Sequence, residues 1–142
     1  MAISFSNEEI SFTLKNKSLL KKWISEVISF HQKRTGVISY LFCNDERVHD
    51  VNFAYLDHDT YTDIITFDYV EGNLVSGDIV ISIDRVKENA HTFNVPFEQE
   101  LHRVIIHGVL HLLGFKDKSE SDAALMRSKE DECLKFLETL TE

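Results

Sequence analysis

At 142 residues, the chain can bury about two-thirds of its unfolded surface around one core, which predicts a single domain over 1–142. A hydrophobic share of 43% and a charged share of 27% exclude whole-chain disorder and a fibrous class, and no apolar run nears the roughly 18 residues that span a bilayer. The formal net charge of -9 excludes nucleic-acid binding by bulk electrostatics, which draws on Lys and Arg set against phosphates.

An RNA role would therefore need a local basic patch. Lys15, Lys17, Lys21, Lys22, Lys33 and Arg34 cluster around the first helical segment, with a solvated helix face as the plainer reading of the same residues. The N-terminus MAISFSNEEI lacks the basic-then-apolar order of a signal peptide, so a cytoplasmic location is expected. Cys43 and Cys133 lie far apart without metal-ligand spacing and read as reduced, buried thiols.

In chain order, Ile3 to Phe5 predicts a short strand. From Asn16 to Arg34, Leu20, Trp23, Ile24, Val27, Ile28 and His31 recur at three- and four-residue steps, predicting an amphipathic helix with Gly36 as its stop. Three stretches rich in β-branched and aromatic residues, Val37 to Asn44, Thr62 to Val70 and Gly77 to Ile83, predict strands. DERVHDVNFAYLDH predicts a helix that ends near His58, with Val48, Val51, Asn52 and Tyr55 on one face, and Arg85 to Phe93 a shorter one. After Pro96, Leu101, Val104, Ile105, Val109 and Leu112 repeat at helical spacing up to Gly114. Ser119 and Asp122 resemble a capping box opening a last helix, whose Leu125, Met126, Cys133, Leu134, Leu137 and Leu140 are expected to face inward. The sum is an α+β domain of about four strands and four to five helices.

The stretch HGVLHLLGFKD carries the chemistry. Residues four apart on a helix stand on one face, so His107 and His111 can aim ring nitrogens at one point. Gly114 lets the chain reverse and return Asp117 as a third ligand, a His, His, Asp set that suits one zinc ion with a coordination position left open. Alone, two histidines at this spacing are more often packed or hydrogen-bonded side chains; Gly114 and Asp117 at the spacing of the metzincin proteases turn the reading toward metal. Gly108 stands where those proteases carry the glutamate that takes a proton from water, which argues against a plain peptidase. A mid-helix glycine costs about 1 kcal/mol against alanine, so a close approach of backbone or substrate is expected at that point.

At this point the chain resembles the YbeY family of bacterial ribosomal-RNA maturation endoribonucleases, whose pattern runs H-G-x-L-H-L-x-G-[YF]-x-H. Upstream, YTDIITFDY is similar to that family's P-T-D-V-L-S-F-P segment, GDIVIS to its L-G-D-I-x-I, and FEQELHRVIIHG to its R-E-L-x-H-L-x-x-H-G. The resemblance runs over most of the chain from Asn52 onward. It implies a zincin-like core, a zinc ion, cleavage of single-stranded RNA and a role with the small ribosomal subunit or its RNA. Two positions depart from the pattern. The third ligand is Asp117 where the family has histidine, which adds negative charge and weakens the metal as a Lewis acid. Leu56 stands where the family has an arginine, so a cation expected near the phosphate is missing.

His58 is the first candidate for the lost charge, as a proton shuttle or a phosphate-facing cation; a solvent-facing loop histidine is the alternative. Lys116 and Lys118 are further candidates. Arg103, one turn before His107, is assigned to the catalytic site as a residue orienting a carboxylate such as Glu100 or Asp63, or else forms a surface salt bridge. Whether water or the ribose 2′-OH attacks is open. Two rival readings stand beside the nuclease: a metal-stabilised ribosome assembly factor with little turnover, and a peptidase whose base comes from Glu100 or Asp78.

Overall fold

The computed structural model describes residues 2–56 and 62–140. Four strands, β1 (Ala2–Asn7), β2 (Arg34–Cys43), β3 (Ile64–Asp68) and β4 (Leu74–Ser82), form one sheet in the order β1-β2-β4-β3. β1, β2 and β4 run parallel, and β3 pairs antiparallel with β4 at the sheet's end. Five helices complete the α+β domain: α1 (Lys17–Phe30), α2 (Asp45–Leu56), α3 (Ile83–Phe93), α4 (Phe97–Leu112) and α5 (Glu120–Thr139).

Alternation along β4 decides what lies on each face of the sheet. Ile79 and Ile81 belong to the main core, with Trp23, Ile24 and Ile28 of α1 and Leu101, Ile105 and Val109 of α4. Val80 belongs to a smaller cluster with Val48 and Val51 of α2. α4 is therefore a central helix, its apolar stripe pressed on the sheet and its flanks held by α3 and α5. Two polar ties fix this arrangement: the Tyr40 hydroxyl donates to the Ile105 carbonyl at 3.0 Å, and Trp23 Nε1 donates to the Cys133 carbonyl at 2.9 Å. Both cysteines are free and buried.

Several expectations change in detail. Gly36 is not the stop of α1: that helix ends at Phe30, and the chain turns through Gln32 at φ 57°. Gly36 sits instead inside β2, at a register irregularity opposite β4, where a Cβ would lie 2.9 Å from the Val75 carbonyl. Close strand approach, not helix termination, demands this glycine. The lysines of the basic cluster are exposed along α1 and before it, with Lys33 half-buried. Tyr55 is 73% exposed although Val48, Val51 and Asn52 on the same helix are buried. On α5, Met126 and Cys133 are buried, Leu134, Leu137 and Leu140 pack partly against the core, and Leu125 is exposed. Ser119 caps this helix by accepting from the Asp122 amide at 3.0 Å. Among the described residues no helix is long and apolar enough to cross a membrane.

Candidate metal centre

The last turn of α4 and the reversal after it build the site. Gly114, at φ +102°, adopts a conformation that a side chain would strain, and the Gly114 and Phe115 amides donate back to the His111 and Leu110 carbonyls, both at 3.0 Å. This paired closure is the left-handed helix stop that glycine favours. It sends the chain back over the end of α4, so that Asp117 Oδ2 lies 3.3 Å from His107 Nε2 and 3.4 Å from His111 Nε2. One ligand atom from each of the three residues falls within 4.8 Å of the others. The two rings meet edge to face, centroids 4.5 Å apart.

The other nitrogen of each ring is held from behind. His111 Nδ1 is 3.0 Å from the Phe115 carbonyl, and His107 Nδ1 is 2.5 Å from Glu130 Oε2. A carbonyl can only accept and a carboxylate accepts when ionised, so the proton belongs on Nδ1 and the Nε2 lone pair faces the cluster. This is the donor arrangement that a zinc-type ion uses, with ring orientation fixed by outer partners. The residues therefore fit a divalent metal held by His107, His111 and Asp117.

Glu130 is fixed in turn. Arg103 Nη1 donates to Glu130 Oε1 at 2.9 Å, and its Nη2 donates to Asp131 Oδ1 at 2.7 Å. Arg103 and Glu130 are both buried, so the pair is compensated charge in the interior, where losing one partner is far costlier than at the surface. Arg103 thus orients a carboxylate, as the sequence suggested, but the carboxylate is Glu130 and not Glu100 or Asp63. It reaches His107 through Glu130, whose other carboxylate oxygen meets His107 Nδ1.

Glu130 was missed in the sequence although a signal existed. Met126, Glu130, Cys133 and Leu137 follow one another at four- and three-residue steps, so an acid occupies the apolar stripe of α5. An acid on a buried stripe requires a partner, and His107 and Arg103 supply it.

The cluster opens on a cleft of about 610 Å³, walled by Thr62 to Thr66 at the start of β3, by Asn52 of α2 and by Lys118. β3 ends the sheet, and its residues Ile64, Ile65 and Thr66 line the cleft. Asp63 lines the same space and accepts from Asn89 Nδ2 at 3.2 Å. Burial raises the Asp63 carboxyl above its ordinary range, against the opposing charge of His107.

Of the candidates for the missing cation, Lys118 lines the cleft, Lys116 is exposed elsewhere on the reversal, and His58 lies outside the described residues. Asp78 lines a different groove, with Arg47, Tyr55 and Tyr69. Its position on β4 puts it on the α2 face of the sheet, away from the cluster.

Gly108 also has a cause in packing. A Cβ there would sit 2.9 Å from Ile79 Cδ1 and 3.1 Å from Ile64 Cδ1. Position 108 faces the sheet, and a glutamate there would have to displace the Ile79 and Ile64 side chains.

A sequence profile described as Endoribonuclease YbeY matches residues 2–138. The chain belongs to the YbeY family. Named relatives include Endoribonuclease YbeY of Flavobacterium johnsoniae, 56% identical over 126 residues that cover 89% of this chain and 91% of the relative's. Endoribonuclease YbeY of Parabacteroides distasonis is 48% identical over 137 residues, covering 96% of each chain. Among solved structures, TM1509 from Thermotoga maritima superposes with a TM-score of 0.66 at 27% identity, over 96% of this chain and 89% of that one. The single-domain α+β arrangement is thus that of the YbeY fold.

Proposed function

We propose that this protein is a metal-dependent endoribonuclease that cuts single-stranded RNA and acts in maturing small-subunit ribosomal RNA. The observation that carries the reading is the convergence of His107, His111 and Asp117 at the base of an open cleft, in a chain whose relatives are named endoribonucleases. Zinc is the metal that this donor set suits best.

A bound ion supplies Lewis acidity toward a phosphate oxygen and lowers the pKa of bound water. The chain's own residues supply the rest. His107 and His111 present Nε2 because Glu130 and the Phe115 carbonyl hold the Nδ1 protons. Asp63 lines the cleft and is assigned as the base that takes a proton from the attacking oxygen; burial raises its carboxyl above the ordinary range, which makes it a stronger base. Lys118 sets positive charge at the cleft wall.

The decisive experiment pairs elemental analysis of purified protein with cleavage of a single-stranded RNA by wild type and Asp117→Ala. The expected outcome is about one ion per chain in wild type, with both metal and cleavage lost in the variant. Full cleavage without metal would sink the reading, and metal without cleavage would favour the assembly-factor role, in which the ion only stabilises the fold. The end groups of the products identify the nucleophile: a 2′,3′-cyclic phosphate marks attack by the ribose hydroxyl, and its absence marks water.

A further inference from the structure

Behind the clamp lies a second cavity of about 310 Å³ that shares Asp63, His107 and Asp117 with the main cleft. Three of its other lining residues have no role in holding the ligands. Phe93, at the end of α3, is 52% exposed. Arg127, on α5, places its guanidinium carbon 5.9 Å from the centre of the Phe93 ring, and no carboxylate pairs with it among the described residues. Glu100, on the first turn of α4, is only 5% exposed, and its carboxylate forms no hydrogen bond with any described residue. Burial raises the Glu100 carboxyl, against the nearby charges of Arg103 and Arg127.

Each feature is free to meet a ligand in the cavity. Among the described residues no side-chain oxygen is both buried and unpartnered, so the Glu100 carboxylate reaches the cavity it lines and is open to donors from a ligand. An exposed ring joined to an unpaired guanidinium is the surface on which nucleobases stack and phosphates rest in single-stranded RNA recognition. Ionised carboxylate oxygens only accept, so the base that satisfies both is one with adjacent N–H donors on its pairing edge. Guanine offers N1–H and N2–H side by side. Uracil offers a single N–H between two acceptors, and adenine and cytosine offer one amino group next to an acceptor.

We propose that this cavity is a nucleobase pocket that selects guanine at a nucleotide next to the scissile phosphate, with Phe93 and Arg127 holding the base plane and its phosphate and Glu100 reading the edge. The proposal rests on the RNA-cleaving reading for its place in the reaction, but guanine binding can be tested without turnover.

The test has two arms on the metal-loaded full chain. In the first, a random single-stranded RNA pool is cleaved and the product ends are sequenced for wild type, Glu100→Gln, Phe93→Leu and Arg127→Ala. Wild type is expected to enrich guanine at one position beside the cut by about 5- to 100-fold, the discrimination that a bidentate base contact provides. Glu100→Gln loses that ratio whatever its total rate, and Arg127→Ala raises KM with a shallower salt dependence. In the second arm, guanosine monophosphate is titrated against adenosine, cytidine and uridine monophosphates; wild type binds the guanosine form best and Glu100→Gln does not discriminate. Cleavage with no base preference, or an unchanged preference in Glu100→Gln, overturns the pocket and leaves the nuclease standing. An uncleaved pool overturns the nuclease, and equal binding of the four nucleotides then overturns the pocket as well.

Discussion

The imidazole of His107 is contested between proton and metal. Burial pulls its pKa down, but the hydrogen bond and charge of Glu130, with Asp117 and Asp63, more than reverse this, so the metal-free ring holds its proton above the ordinary value. Below the raised pKa a metal must first displace that proton, and apparent affinity falls as pH falls. The same Glu130 that favours the proton also orients the ring and makes Nε2 a better ligand once the proton is gone. Glu130→Gln separates the two effects. Titration with a metal across pH is expected to show the acid limb moved to lower pH, with affinity on the alkaline plateau weakened about 10- to 100-fold. An unchanged plateau would mean that Glu130 serves packing alone. His107 and His111 could be read directly from their spacing, whereas Glu130 could not, because the 23 residues separating it from His107 are bridged only when α5 packs on α4.

At the level of elements, α4 is built around a contradiction that the sheet resolves. Gly108 weakens a helix whose neighbours Ile105, Ile106, Val109 and Leu110 are fully buried, yet any larger residue meets Ile79 and Ile64. Alanine would recover about 1 kcal/mol of helix propensity. It would also press a methyl against Ile79, itself fully buried and branched, and overpacking of this kind costs about 1–3 kcal/mol. Packing is expected to win, so Gly108→Ala should lower the melting temperature in a thermal unfolding scan and shift the helix that carries both histidines. A stabilised variant would show that the sheet yields freely there. The periodicity of α4, its glycine stop and the cap of α5 were all readable in the sequence, because each is a local rule. The role of Gly36 was misassigned because a glycine two to six residues past a helix looks the same whether it ends that helix or lets two strands approach.

For the molecule as a whole, the metal cluster joins the end of α4 to the reversal that follows, and Glu130 carries that link into α5. A ligand that binds only the folded chain adds stability by mass action, about 2.7 kcal/mol when free metal stands at 100 times its Kd. For a domain of this length that corresponds to a rise in melting temperature on the order of 10 °C. Calorimetry of metal-loaded against chelator-treated protein is expected to show such a rise in wild type and little of it in Asp117→Ala. Equal shifts in both would place the stabilising ion elsewhere. The net charge of -9 leaves phosphate attraction to local cations, and Lys118 and Arg127 line the two cavities beside the acids Asp63, Asp68, Glu100, Asp117 and Glu130.

The sequence by itself determined the α+β class, the helix that carries the histidines, the stop that turns the chain and the three residues that converge. All of these follow from periodicity and from spacing within about ten residues, where backbone geometry leaves few alternatives. Only the tertiary structure decided that Arg103 serves Glu130, that Gly108 answers to Ile79, and that Phe93, Glu100 and Arg127 share one cavity. Those relations join α3, α4, α5 and the sheet across long stretches of chain, and no local rule of sequence encodes which faces will meet.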